Sequence, residues 1–322
     1  MSSLSVIMIC RNEIKNIKSV LDSFYEQSYV PDEIIIVDGM SNDGTYEYLK
    51  TQENNFKNLK VLQNKQMYTP HGLNMGIKNS SSDYIMIAGA HTKYNNNYIK
   101  SIKEYLDIHK DIGIVGGVSK GTPSKETLLA KSFADSYSCI FGVGAKHRVF
   151  NTEQEVDTVA YAAYRKELFE KYGLFDERLL RNQDIELNYR FRKNGIKIIM
   201  LPIENKYLAP NSLLKFIKKN FDNGYWNFIT LKLTPHGISF RHFIPMFFVL
   251  FLILFLSLFS INIIRNILLI PMAFYILLDV LFSLKEKNLF LLIIFPILHI
   301  SYGFGTLISL IKNFKIKSEV SK

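Results

Sequence analysis

The stretch Glu33-Ile34-Ile35-Ile36-Val37-Asp38-Gly39-Met40-Ser41-Asn42-Asp43-Gly44-Thr45 decides how the chain is read. Its first six residues are a β-branched run that ends on a carboxylate, and the run is too apolar to leave one face in water. Ser41 to Thr45 then supply turn formers and helix-capping oxygens ahead of a helical segment, Tyr46–Gln52. A fully covered strand, a loop and a helix form the repeating unit of an α/β sheet. The same alternation extends outward from residue 1 to about 205, with further candidate strands at Ser5–Cys10, Lys60–Asn64, Asp83–Ala88, Ile112–Gly116, Thr158–Tyr164 and Lys197–Leu201. Strand C-terminal ends in such a sheet share one ligand-binding edge. Asp38 lies at that edge, placed to accept hydrogen bonds from a nucleobase or ribose while the N–H groups of its loop face the ligand.

Beyond Pro210 the character changes. Residues 243–264 contain no Asp, Glu, Lys or Arg, 266–284 contain only Asp279, and 288–311 contain none. Each segment is long enough to cross a hydrocarbon core of about 30 Å. The division expected is therefore a catalytic α/β domain at 1–210, an amphipathic interfacial helix region at 211–240, and membrane helices with a short basic tail at 241–322. Within 212–233, Phe216, Phe221, Tyr225, Trp226 and Phe228 alternate with Lys215, Lys218 and Lys219, which reads as a helix lying at headgroup level. Lys218, Lys219, Lys232 and Arg241 before the first span favour a cytoplasmic start, yet Lys312, Lys315, Lys317 and Lys322 after the last favour the same side. Three crossings and the basic flanks therefore disagree, and the number of true crossings stays open.

Lys and Arg total 39 against 29 Asp and Glu, an excess of +10 that suits nucleic acid, an anionic membrane face or phosphorylated substrates. No nucleic-acid recognition motif accompanies the charge, so none is expected as a partner. Cys10 and Cys139 are the only cysteines, too few for a disulfide framework or a structural zinc site. Met1-Ser2-Ser3-Leu4-Ser5-Val6 has no basic region followed by a long apolar one, so a secretory signal is not expected and the N-terminal part is placed on the cytoplasmic side.

Several dispersed motifs carry a resemblance. Cys10-Arg11-Asn12-Glu13 is followed by the Asp38–Thr45 loop, by His71-Gly72-Leu73-Asn74-Met75-Gly76, by Phe141-Gly142-Val143-Gly144, by Gly173-Leu174-Phe175-Asp176-Glu177, and by Asn182-Gln183-Asp184-Ile185-Glu186-Leu187. In this order they resemble family-two inverting glycosyltransferases of the GT-A fold, over roughly residues 4–235. The chain is most similar to membrane-attached enzymes of the succinoglycan glucosyltransferase type, which elongate lipid-linked sugars for exopolysaccharides. The resemblance implies that Arg11, Asn12, Glu13, Asp38 and Ser41, with Gly89 and Ala90 after the fourth strand, hold a nucleotide-diphosphate sugar, a UDP-sugar in the first instance. It implies that Asp184 is the catalytic base, which agrees with the need of an inverting transfer for one carboxylate on the acceptor hydroxyl. Asp184 also stands at a helix start, where capping is its alternative role. Glu186 either meets the acceptor or favours the helix dipole.

Two departures from the family pattern stand out. Related enzymes carry Asp-x-Asp or Asp-Ala-His after the fourth strand, whereas this chain reads Gly89-Ala90-His91. His91 remains as a ligand for a divalent cation, Mn2+ more naturally than Mg2+. Cations in the glycine-rich segment, Lys146, His147 and Arg148, are candidates to take over part of the diphosphate's charge. In the interfacial segment, Lys219 and Trp226 are the candidates for diphosphate or acceptor contact, with membrane anchoring the alternative for Trp226. The function expected is a multi-pass, membrane-associated hexosyltransferase with a cytoplasmic catalytic domain, acting on a lipid-linked glycan. The alternative is a catalytically silent nucleotide-sugar-binding or scaffold protein of a polysaccharide assembly, suggested by Gly89. An oxidoreductase is disfavoured because Arg11-Asn12-Glu13 stands where GxGxxG would follow the first strand.

Overall fold

The structure, a computed structural model, describes residues 2–142, 152–235 and 237–320, with side chains to residue 312. The chain forms two compact units, Met1–Lys120 with Phe150–Tyr207, and Gly121–Val149 with Leu208–Lys322.

The first unit is built on a nine-stranded sheet. In chain order its elements are β1 (Leu4–Cys10), α1 (Ile17–Tyr25), β2 (Glu33–Asp38), α2 (Thr45–Asn55), β3 (Leu59–Gln63), α3 (Thr69–Asn79), β4 (Tyr84–Gly89), β5 (Thr92–Tyr94), α4 (Tyr98–Ile108) and β6 (Ile112–Thr122). After α5 (Leu128–Ser138), which belongs to the second unit, come β7 (Gln154–Glu155), β8 (Ala163–Arg165), α6 (Lys166–Tyr172), α7 (Gln183–Lys193) and β9 (Lys197–Leu208). The strand order is β3-β2-β1-β4-β8-β6-β9-β5, with β7 also on β9. Strands β3, β2, β1 and β4 are parallel, and β8 runs antiparallel between β4 and β6.

The apolar runs are continuous because both faces of the sheet are covered. Leu4, Val6 and Met8 of β1, with Ile34 and Ile36 of β2, pack with Phe24 of α1, Leu49 of α2 and Ile102 of α4. Ile7, Ile35 and Val37 face the other way, toward Leu73 and Ile77 of α3, Phe169 of α6 and Phe191 of α7. Helix α3 lies close on β1 because it presents glycines there. A Cβ on Gly76 would stand 2.4 Å from Ile7 Cγ2, and one on Gly72 2.9 Å from Ile9 Cγ2. The strand read over 158–164 is reduced to Ala163–Arg165, because Tyr161 adopts φ +54°, a left-handed conformation that interrupts extended pairing.

The second unit contains α5, α8 (Leu213–Leu233), a 3-10 turn at Phe240–Phe243, α9 (Ile244–Ser257), α10 (Asn262–Lys285) and α11 (Leu291–Val320). Three stretches, Phe240–Ser257, Asn262–Lys285 and Leu291–Lys312, are long and apolar enough to cross a membrane. Leu256, Ile263 and Ile270 are 72%, 75% and 71% exposed, an arrangement that suits lipid and not water. The first break falls at 258–261, ahead of Arg265, so that arginine sits inside the first turn of α10 instead of marking the boundary. Asp279 is buried and accepts a hydrogen bond from Ser283 Oγ at 3.3 Å.

The segment 212–233, expected to lie at headgroup level, forms α8, which packs against α11 and buries its small and polar stripe there. Phe216, Asn220, Gly224, Asn227 and Thr230 form the covered face. Asn227 Nδ2 donates to Tyr302 Oη (3.1 Å), Thr306 Oγ1 (3.2 Å) and the His242 carbonyl (3.1 Å). A Cβ on Gly224 would meet the Tyr302 carbonyl at 1.9 Å, and one on Gly305 the Phe221 carbonyl at 2.0 Å, so the two backbones touch. Such close approach through small residues is how helices associate where water does not drive them together. Gly224→Val therefore forces α8 and α11 apart, and we expect the detergent-solubilised variant to lose about 1–3 kcal/mol or more of stability, read as a lower thermal midpoint. An unchanged midpoint would contradict this packing.

Candidate active site

The ligand edge is assembled from the ends of β1, β2 and β4, which sit in register: Cys10 pairs with Asp38, and Ile9 with Gly89. The loops that follow β1 and β2 are laced into one body. Asp38 is fully buried, and both of its carboxylate oxygens are taken by Ser41, one by the backbone N–H at 2.9 Å and the other by the hydroxyl. Ser41 Oγ in turn accepts the Asn12 N–H at 2.8 Å, and Asn12 Oδ1 accepts the Asn42 N–H at 2.9 Å. Thr45 Oγ1 accepts the Glu13 N–H at 2.9 Å, and Asp43 Oδ2 accepts that of Ile14 at 3.2 Å. Asn12 and Met40 hold φ near +60°, which turns the chain sharply at each strand end.

This lacing revises the expectation that loop N–H groups and the Asp38 carboxylate face a ligand. The N–H groups of Asn12, Glu13, Ile14, Ser41, Asn42 and Thr45 are satisfied inside the loops, and Asp38 is enclosed. Exposed side chains of the two loops include Arg11, Asn12, Met40, Asn42 and Asp43. Burial, with Asp38, Glu13 and Asp43 close by, pushes the Cys10 thiol up to about 12, so it is a neutral packing group.

At the end of β4, Gly89 is closed off. A Cβ there would stand 2.6 Å from Tyr161 Cε1 and 3.0 Å from Thr92 Oγ1. The Tyr161 ring meets Tyr94 edge-on at 5.9 Å, Tyr94 Oη accepts the Gly89 N–H at 2.9 Å, and the Tyr161 carbonyl accepts from Tyr98 Oη at 3.1 Å. The space over the glycine is thus filled by a strained tyrosine. Ala90 follows in the turn, and His91 Nε2 lies 2.9 Å from Glu13 Oε1. Glu13 Oε2 accepts from Asn16 Nδ2 at 3.0 Å. Among the described residues no group of three or more His, Cys, Asp or Glu is placed to hold a metal ion. Gly89 supplies no side-chain donor, and His91 stands beside Glu13.

Asp184 is an exposed residue in the first turn of α7, whose N-cap is Asn182 at φ +60°. It is thus neither sealed in the core nor the capping residue. Its charge is close enough to raise the buried Tyr164 hydroxyl, after the larger effect of burial. Glu186 is buried and forked to Arg190, at 2.9 Å to Nε and 2.8 Å to Nη2, and Arg190 also donates to the Tyr172 and Leu174 carbonyls. Glu186 thus stands in the same first turn as Asp184 and is held by a cation of its own helix. Lys219 and Trp226 belong to α8 in the second unit, where the Lys219 ammonium lies over the Tyr137 ring at 5.8 Å. Lys146, His147 and Arg148 lie outside the described residues.

Sequence reading did not foresee the clamp on the loop before Asp184. Asn74, buried on α3, donates to the Phe175 carbonyl (2.9 Å) and to Glu177 Oε1 (3.0 Å), and accepts the Phe175 N–H (3.0 Å). His71 Nε2 stands 3.4 Å from Glu177 Oε2. The available signal was a polar residue between Leu73 and Ile77 on the inward stripe of an amphipathic helix.

Asn74→Ala leaves the Phe175 backbone groups unpaired, so we expect a loss of about 1–3 kcal/mol, with faster amide exchange confined to residues 174–182. Unchanged exchange there would remove the clamp. Gly89→Asp should destabilise the fold by displacing the Tyr161 ring, and Tyr161→Ala in the same chain should recover most of the loss. Additive losses in a double-mutant cycle would show that the two positions do not compete for space.

Comparison with known proteins agrees with this architecture. The family described as Glycosyl transferase family 2 matches residues 5–173. The chain is 31% identical over 235 residues to dolichyl N-acetyl-alpha-D-glucosaminyl phosphate 3-beta-D-2,3-diacetamido-2,3-dideoxy-beta-D-glucuronosyltransferase of Methanococcus voltae, covering 70% of this chain and 72% of that one. It is 28% identical over 221 residues to succinoglycan biosynthesis protein ExoA of Rhizobium meliloti (strain 1021), covering 66% and 65%. It spans about half the length (52%) of the poly-beta-1,6-N-acetyl-D-glucosamine synthases of Staphylococcus that it matches at 24% identity. The structure of mannosyltransferase PcManGT from Pyrobaculum calidifontis, solved with GDP-Man and Mn2+, shares the fold with a TM-score of 0.62 at 16% identity, over 95% of this chain and 87% of that one. A mixed, mostly parallel sheet with helices on both faces, matched to this family over more than half of the chain, makes the protein a GT-A glycosyltransferase that belongs to glycosyl transferase family 2.

Proposed function

We propose that the protein is a membrane-attached inverting glycosyltransferase that moves a sugar from a UDP-sugar to a hydroxyl of a lipid-linked glycan, in the biosynthesis of an exopolysaccharide or other cell-surface polysaccharide. The observation that carries this reading is the exposed Asp184 carboxylate at the start of α7, presented by a clamped loop in a family-two glycosyltransferase. The lipid-linked acceptor is supported by the 31% identical relative, whose name specifies a dolichyl-phosphate-linked sugar, and by the three helices long and apolar enough to cross a membrane. In this reading the sheet unit stands on the cytoplasmic side, where nucleotide sugars are made.

Donor binding falls to the edge formed by Arg11, Asn12, Glu13, Ser41, Gly89 and Ala90, with Asp38 acting through the loop it holds. The acceptor oxygen attacks the anomeric carbon from the face opposite the diphosphate. As the new C–O bond forms, the bond to the diphosphate oxygen breaks, its electron pair leaves with the diphosphate, and the hydroxyl proton passes to Asp184. One carboxylate suffices, since the diphosphate departs as an anion without needing a proton and no covalent sugar intermediate is formed. A divalent cation bound through His91 would supply positive charge to the departing diphosphate. Arg11 is an exposed cation beside the same loops and contributes by charge-assisted hydrogen bonding.

Asp184→Asn keeps the shape and removes the base. Purified in detergent, this variant is expected to lose sugar transfer by at least about a thousandfold, within the range a general base contributes, while binding nucleotide as the parent does. Transfer at the parental rate would refute the assignment. A panel of nucleotide sugars and lipid-linked acceptors, run on the parent, identifies the donor and the linkage.

A further inference from the structure

We propose that Glu13 takes over the role of the missing acid at position 89, so that Glu13 and His91 together form a two-point site for a divalent cation that is completed by the diphosphate of the donor. The proposal rests on the nucleotide-sugar reading above. It starts from three features of the edge. Position 89 has no side-chain donor, and the Tyr161 ring fills the space where one would stand. Glu13 is nearly enclosed, 13% exposed at its side chain, with one oxygen tied to Asn16 and the other turned to His91, which is 52% exposed. The separation of Glu13 Oε1 and His91 Nε2 is 2.9 Å. Two atoms bound at right angles to a cation at about 2.1 Å lie about 3.0 Å apart, so the pair already has the spacing of two adjacent corners of an octahedron.

Electrostatics calls for a cation here. Asp38, Glu13 and Asp43 all lie close enough to the Cys10 thiol to disfavour its ionisation. A nucleoside diphosphate entering the same edge brings at least two further negative charges, and such charges are not brought together in a partly buried site without compensation. One carboxylate and one imidazole occupy two positions of the cation and leave the others to phosphate oxygens and water. A site so thin in protein ligands binds metal weakly alone and well only with the nucleotide. The imidazole favours Mn2+ over Mg2+.

The test is a Mn2+ titration of the full chain in detergent, followed by the electron paramagnetic resonance of free and bound Mn2+, with and without UDP or GDP. We expect nucleotide to tighten Mn2+ binding at least about tenfold, and Glu13→Gln and His91→Ala each to abolish most of that gain. Pulsed spectra of the ternary complex should carry the 14N modulation of an imidazole, absent in His91→Asp. His91→Asp, at a half-exposed position, should fold as the parent does, retain metal, and shift its preference toward Mg2+. A Glu13→Gln protein with the parental thermal midpoint and parental Mn2+ affinity in the presence of nucleotide would overturn the site, and so would a 14N signal that survives in His91→Asp. Nucleotide binding is measured separately by calorimetry. Binding of nucleotide with a cation indifferent to Glu13 refutes this site alone, whereas failure of every nucleoside diphosphate to bind under any metal condition refutes the donor reading and this site with it.

Discussion

A carboxylate with no access to water governs the ligand edge of this protein. Asp38 ends the β2 strand in the interior, where an ionised group without partners costs several kcal/mol. Its compensation is local: both oxygens are met by Ser41, three residues on. Meeting them obliges the chain to turn back at Met40, in a left-handed conformation that a methionine adopts only under constraint. The turn then puts the Ser41 hydroxyl where it can also accept from Asn12, which carries the constraint across to the loop after β1. Two loops distant in sequence thus move as one, and Glu13 is fixed where it meets His91.

Rigidity reaches Asp184 by a separate route on the opposite face of the sheet. Gly72 and Gly76 let α3 lie directly on Ile9 and Ile7 of β1, so the helix has little freedom to shift. From that fixed helix Asn74 holds both backbone groups of Phe175, and further along the Glu186–Arg190 fork holds the carbonyls of Tyr172 and Leu174. The loop between α6 and α7 is tied near its start and from the helix that follows it. What looks like a string of polar motif residues is therefore largely scaffolding, and Asp184 follows it as an exposed acid in the first turn of α7.

The parts of the fold legible from the sequence were those set by local periodicity. Glu33–Asp38 was read residue for residue because both of its faces are buried and the turn chemistry at Ser41–Thr45 stops it. The far end of β9 was not legible, since Glu204, Asn205 and Lys206 interrupt the apolar run while the strand continues by pairing with β5 through Tyr207, Lys206 and Asn205. The shortened β8 was missed for the converse reason: Val159 to Ala162 is apolar enough for a strand, but Tyr161 is diverted to cover Gly89. At the candidate site, Asp184, Gly89 and His91 stood out by type and position. The roles of Glu186, Asn74 and Tyr161 depend on partners 4, 101 and 72 residues away, the last two being tertiary relations that no local pattern encodes.

The helical unit packs by a different pattern from the sheet unit. The reading of 212–233 followed its aromatic residues and lysines, whereas the face that α8 covers is its small and polar stripe. Among helices that leave Leu256, Ile263 and Ile270 at the surface, it is close backbone contact and hydrogen bonds that mark the faces that meet. Gly224, Gly303 and Gly305 permit the contact, and Asn227, Tyr302 and Thr306 supply the bonds. The same logic accounts for His299, which is held between Tyr275 Oη at 2.9 Å and the Phe141 carbonyl at 2.8 Å, and for Asn288, which donates to Asp135 at 2.7 Å and to Ser132 at 3.0 Å. Residues 128–141 are thereby bonded to the last apolar helix through His299 and to the turn before it through Asn288.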